Sequence, residues 1–302
     1  MLLELRTSHL IGLPMALMFS VSAYASASRT FVATTGNDAN TAANCGAATP
    51  CRSFGAALGV TNSGGELVVL NSGGYGPATI SQSVTITATG VDASISVTTE
   101  NGNGLNIDTP GNVTINGLSL HGEATGGFGL NVTQVGYLRL YNMLIENFKQ
   151  LGVYTFAGTL EVYGCEMNDN PAAGLSVGGG MTTVKAYVAS SSFSHNGVGA
   201  GTVGNSIATF VDSSAVYNTM AGFETFSGEL TLVNSRSAFN NIGMFSNGTG
   251  GAFYFVNCII TNNVAAYSIE TGGTMAGTNP GTSFLGPGQG TIGALSTAVA
   301  LQ

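Results

Sequence analysis

The chain has 302 residues, of which 45 are Gly, 44% are hydrophobic and only 7% are charged, with a formal net charge of −8. Disorder is excluded, because disordered chains are charge-rich and too poor in apolar side chains to bury a core. The acidic balance argues against nucleic acid and anionic membranes as partners, since both repel a negative surface. Lys, Glu, Arg and Gln are scarce while Thr, Val, Ser, Asn and Gly abound, the composition of short strands separated by turns, so the chain reads as all-β.

Residues 1–27 are expected to be an export signal. Arg6 stands near the start, an apolar run extends from Leu10 to Val21, and Ala25, Ser26 and Ala27 precede Ser28 as a small-residue cleavage site. The run is too short to cross about 30 Å of hydrocarbon and Pro14 interrupts it, which disfavours a retained anchor. Cleavage would remove Glu4 and Arg6 together and leave the net charge at −8. No Cys stands directly after the cleavage site, against a lipoprotein anchor, and no later segment is long and apolar enough to span a membrane. The expected destination is the periplasm, the cell surface or the medium.

Among the four cysteines, Cys45 and Cys51 flank the tight segment Gly46 to Pro50, and export makes a disulfide there chemically allowed. Cys165 and Cys258 sit inside apolar strands several coils apart and read as buried thiols acting as small hydrophobes. No spacing suggests a metal, and no cofactor is expected.

Self-similarity is the most informative signal. The chain keeps restarting with Gly and a short strand: Gly104-Leu-Asn-Ile, Gly129-Leu-Asn-Val, Gly152-Val-Tyr-Thr, Gly174-Leu-Ser-Val, Gly222-Phe-Glu-Thr and Gly243-Met-Phe-Ser. Gly201 and Ala266 fill the remaining starts, at spacings of 21 to 27 residues. A second strand follows in each repeat and ends on Asn or Asp, as at Asn116, Asn142, Asp212, Asn234 and Asn257. A third closes it with an apolar residue and a polar turn, as in Ile145 before Asn147, Met167 before Asp169, Phe193 before His195 and Val216 before Asn218. Phe239 before Asn241 and Ile260 before Asn262 continue that series.

Three short strands in such a repeat cannot bury an apolar face alone, so coils must stack in parallel at about 4.8 Å. The expected fold is a single parallel β-helix with three short strands per coil. Asn recurring at one turn forms a ladder that satisfies polar groups a buried turn would leave unpaired, and His195 falls at that position. A propeller needs about 40 residues per blade, and a leucine-rich repeat needs a Leu framework that is absent here.

Residues 28–90 are expected to hold an N-terminal cap and irregular first coils, with one short helix over Cys51 to Leu58. A cap covers the open core and unpaired edges that a solenoid end exposes. Residues 91–270 are the regular coils, and 271–302 a final partial coil and cover.

With Cys45, Pro50-Cys51-Arg52, Gly73-Gly74-Tyr75-Gly76 and the repeated Gly/Asn coils, the mature chain resembles the bacterial right-handed parallel β-helix repeat proteins of the pectin-lyase-like superfamily. Within it, the chain is similar to a subgroup of exported proteins without an assigned activity. The resemblance implies a right-handed solenoid. It does not select among the lyases, polygalacturonases, tailspike depolymerases, epimerases and non-enzymatic surface proteins of that superfamily.

In its lyases, sugar lies along one outer sheet, Arg or Lys takes a proton and carboxylates hold calcium. The outward positions of the repeat-opening strand are Asn106, Asn131, Tyr154, Ser176, Glu224, Phe245 and Ser268, with no Arg or Lys among them. Lys149, in the adjoining turn, reads as a solvated side chain. The Asn-x-Asp, Asp pair and Arg-x-Lys of the polygalacturonases do not occur. Glycoside hydrolysis needs two carboxylates about 5 to 9.5 Å apart, and the pairs closest in sequence, Glu161 with Glu166 and Glu224 with Glu229, fall on different strands. Ser190 to Ser194 read as an inward or turn-lining stack. No catalytic residue is assigned.

The middle strand offers more. With Leu138 and Leu140, Leu160 and Val162, and Val184 and Ala186 inward, alternation places Arg139, Glu161 and Lys185 in one outward column and Tyr141, Tyr163 and Tyr187 in another. The first would be an exposed ion-pair ladder, the second a flat aromatic strip suited to sugar rings. The leading expectation is a non-enzymatic exported scaffold binding polysaccharide or cell-surface glycan through these six residues. A polysaccharide lyase or glycoside hydrolase with an unrecognised site, and a purely structural surface or adhesion protein, are the alternatives.

Overall fold

The computed structural model describes residues 26–270, 272–277, 282–284 and 286–294. The expected export signal lies outside the described residues except for Ser26 and Ala27, and Ala27 opens the first strand. Among the described residues the strands form three sheets, one for each strand of the repeat. The opening sheet has 10 strands, from Ala78–Ile80 to Gly288–Gln289; the middle sheet has 12, from Ala27–Val32 to Gly293–Ala294; the closing sheet has 10, from Gly73–Gly74 to Ser283–Phe284. Each strand pairs in parallel with its equivalent one coil along. The described parts of the C-terminal segment, Thr274–Gly277, Ser283–Phe284 and Gly288–Gln289, continue all three sheets.

Alternation within each short strand sends one set of side chains into a shared core. Val113, Leu138, Leu160, Ala186, Ala208 and Leu230 form one buried column of the middle sheet. Where the columns narrow to Ala200, Ala208 and Ala215, the rings of Phe193, Phe210 and Phe223 fill the space with centroids 5.3 to 6.3 Å apart, edge to face. Large and small residues compensate, as close packing requires.

The repeat-opening glycines are dictated by close approach. A Cβ on Gly152 would lie 2.6 Å from the Gly174 carbonyl oxygen, and one on Gly174 would lie 2.7 Å from that of Gly199. Gly199, not Gly201, therefore opens the fifth of these repeats, with Leu175 opposite Ala200. The two candidates are two residues apart and present the same faces, so alternation alone does not separate them.

The Asn ladder exists, displaced by one residue from several expected positions. It consists of the buried residues Asn170, Asn196, Asn218, Asn240 and Asn263. From Asn196 onward each side-chain oxygen accepts the backbone N–H of the preceding member, and those of Asn196, Asn240 and Asn263 also accept its side-chain amide, as in Asn218 N to Asn240 Oδ1 at 2.8 Å and Asn218 Nδ2 to the same oxygen at 2.9 Å. His195 is not a rung: it is exposed, at φ 57°, and Asn196 beside it takes that role. Asn147, Asp169 and Asn262 likewise occupy the positive-φ position preceding the ladder, and Asn241 follows it. At the middle-to-closing turn a second buried column runs through Cys165, Ser191, Ser213 and Ser235, each accepting a backbone N–H from the coil before. Burial pushes the Cys165 thiol up to about 11 and raises that of Cys258, so both stay protonated.

At the N-terminal end Cys45 and Cys51 are joined in a disulfide with Cα atoms 5.2 Å apart. The helix covers Phe54–Val60, starting later than expected because Ser53 caps it, its Oγ accepting from Ala56 N at 3.2 Å. Asp38 accepts from the backbone N–H of Arg52 and Ser53, each at 2.8 Å, and Arg52 donates to the Gly74 carbonyl at 2.8 Å beside the buried Tyr75. Burial raises the Asp38 carboxyl, but its hydrogen bonds with Ser53 and Arg52 and the Arg52 charge outweigh it and leave the group below its ordinary value. The motif residues that carried the family resemblance thus hold the cap together.

Candidate functional site

The middle sheet brings part of the expected surface together. Arg139 is opposite Glu161 and Tyr141 opposite Tyr163. Arg139 Nε lies 3.3 Å from Glu161 Oε2, and its guanidinium covers the Tyr137 ring at 4.2 Å. Tyr137 donates its hydroxyl hydrogen to Glu161, and this hydrogen bond, then burial, raises the Tyr137 phenol. The Tyr141 and Tyr163 rings stack with centroids 5.3 Å apart and planes within 9°. Tyr137 was missed by the sequence reading although it occupies the same alternating outward set as Arg139 and Tyr141.

The next coil departs from expectation. Thr159 pairs with Lys185 and Glu161 with Tyr187, so Lys185 is not in the Arg139–Glu161 column and Tyr187 is not in the Tyr141–Tyr163 column. The strand Val184–Ala189 enters two residues earlier than the assumed alignment, placing Ala186 against Leu160 and Val188 against Val162 in the core. Tyr187 nevertheless reaches Tyr163, with centroids 5.9 Å apart and planes 47° apart. The strip is a coplanar pair with a tilted third ring.

The opening sheet places Asn106, Asn131, Tyr154, Ser176, Glu224, Phe245 and Ser268 in one outward column, with Gly201 between Ser176 and Glu224. Because Gly201 has no side chain, the column dips. The result is a cleft of about 240 Å³, walled by Ala173 and Val198 on one side and by Val203 and Phe226 on the other. A Cβ on Gly201 would lie 2.8 Å from the Glu224 backbone oxygen, so the gap belongs to the backbone path. Glu224 lines the cleft, and burial alone raises its carboxyl. Glu229, its nearest acid in sequence, is on the middle sheet.

Just over half of the chain, residues 129–281, matches the family model described as the right handed beta helix region, and the chain belongs to that family. Its fold is that of the pectin-lyase-like superfamily. A pectate lyase structure is similar at 13% identity over 91% of this chain and 80% of that one, with a TM-score of 0.52. The A-module of a mannuronan C-5 epimerase from Azotobacter vinelandii is similar at 12% identity over 78% of this chain and 90% of that one, with a TM-score of 0.53. No curated protein sequence matches the chain. The disulfide fits an exported protein, and no helix among the described residues is long and apolar enough to cross a membrane.

Proposed function

We propose that the protein is an exported, non-enzymatic β-helix scaffold that binds polysaccharide or cell-surface glycan on the outer face of its middle sheet. The coplanar Tyr141–Tyr163 pair, edged by the Arg139–Glu161 ion pair, carries this reading. Aromatic surface supplies apolar contact for the C–H face of a sugar, and the phenols, guanidinium and carboxylate supply hydrogen bonds at its rim. Lys185 and the tilted Tyr187 extend the same face by one coil. The polysaccharide-acting proteins that share the fold make a carbohydrate partner a natural one to test, although their fold does not transfer their activity.

Replacing Tyr141, Tyr163 and Tyr187 together by Ala is expected to lower retention on a polysaccharide array by about a hundredfold, roughly 3 kcal/mol for three ring contacts at about 1 kcal/mol each. The measurement is array binding beside a thermal melt, which should show the fold intact. Unchanged retention would sink the proposal. Release of unsaturated or reducing ends from any bound polysaccharide would replace the scaffold reading with the lyase or hydrolase one.

A further inference from the structure

The cleft on the opening sheet contains a chemical imbalance of its own. Its walls are apolar, with Leu175, Val198, Val203 and Phe226 lining it, and it holds one carboxyl, that of Glu224. Glu224 has no hydrogen-bond or ion-pair partner among the described residues; burial is the whole of its perturbation. On the following coil its column continues with the buried Phe245, and on the other side of the dip stand Ser176 and then Tyr154. Glu224 is half-buried, and a carboxylate that apolar walls deprive of part of its hydration and that has no partner is stabilised by a matched cation.

From this geometry we infer that the cleft is a binding site for a ligand bearing a primary ammonium group on a small ring, of the amino-sugar class, with Glu224 as its counter-ion. A cavity of about 240 Å³ accommodates a single sugar-sized ring. In the dip above Gly201 the ring meets the short side chain of Ser176, while the Phe226 face offers apolar and cation–π contact. The net charge of −8 favours approach of a cation over that of a uronate. The site is on a different sheet from the tyrosine pair and stands independently of it.

The test is isothermal titration calorimetry of the full chain at neutral pH with D-glucosamine and with N-acetylglucosamine, whose acetylated nitrogen carries no charge. Glucosamine should bind, with N-acetylglucosamine at least about tenfold weaker, the loss expected when one partner of a charge pair is removed. Glu224→Gln should cost a similar factor and Phe226→Ala a smaller one. Glu229→Gln, which removes an acid from another sheet, should change nothing, and the triple tyrosine variant should bind glucosamine as the wild type does. Absence of glucosamine binding, equal binding of the two sugars, or equal losses in Glu224→Gln and Glu229→Gln would each overturn the inference.

Discussion

At the turn from the closing to the opening sheet, two columns one residue apart behave as opposites. Asn147, Asp169, His195, Tyr217, Phe239 and Asn262 are all exposed with φ between 56° and 59°, yet share no chemistry. Their immediate successors from Asn170 to Asn263 are all buried and all carry the same amide. The bend is a backbone requirement that a side chain can meet in several ways, whereas closing the buried side of the turn needs one donor and acceptor set at one place. A left-handed Tyr or Phe costs about 1–2 kcal/mol. His195, Tyr217 and Phe239 recover part of that by stacking at 5.4 and 5.0 Å, at about 0.5–1.5 kcal/mol per aromatic pair.

The contrast can be tested from its strong side first. Asn218→Ala removes the acceptor of Asn196 N at 2.9 Å and the donor to Asn240 Oδ1 at 2.9 Å and to the Phe193 carbonyl at 3.2 Å. Urea denaturation should show a loss of about 3 kcal/mol or more, since each stranded buried group costs about 1–3 kcal/mol. A loss under about 1 kcal/mol would show that the amide column does not hold the turn. Ser213→Ala, in the parallel column at the other turn, should cost less, about 1–2 kcal/mol, by leaving Ser191 N without its acceptor at 3.3 Å. Phe239→Asn should have the smallest effect, within about 1 kcal/mol of zero, because relief of the left-handed strain offsets the lost ring stack. A destabilisation above about 2 kcal/mol would mean that the exposed column also carries the turn.

Much of this was legible in the chain, for reasons that also explain the failures. The period, the three strands and the outward run from Asn106 to Ser268 follow from strict alternation and recurring Gly, which only a stacked solenoid satisfies. Alternation is blind to slips of two residues, so it separates neither Gly201 from Gly199 nor the observed register of Lys185 and Tyr187 from one shifted by a pair. Asn serves both in left-handed turns and in ladders, so Asn147 and Asn170 cannot be told apart by type. The cleft beside Glu224 was hidden most deeply, since it is made by a missing side chain at a position assigned another role.

The amide column has a direction. From the Phe148 N–H donating to Asn170 Oδ1 through to Asn240 donating to Asn263, every side-chain oxygen faces the coil that precedes it in the chain. Amide dipoles aligned in this way add, as peptide dipoles do along an α-helix, and each bond polarises the next. The solenoid therefore carries an electrical polarity along its axis, with carbonyl oxygens leading toward the disulfide-clipped end, and the two ends of the column present opposite partial charges to whatever lies beyond them.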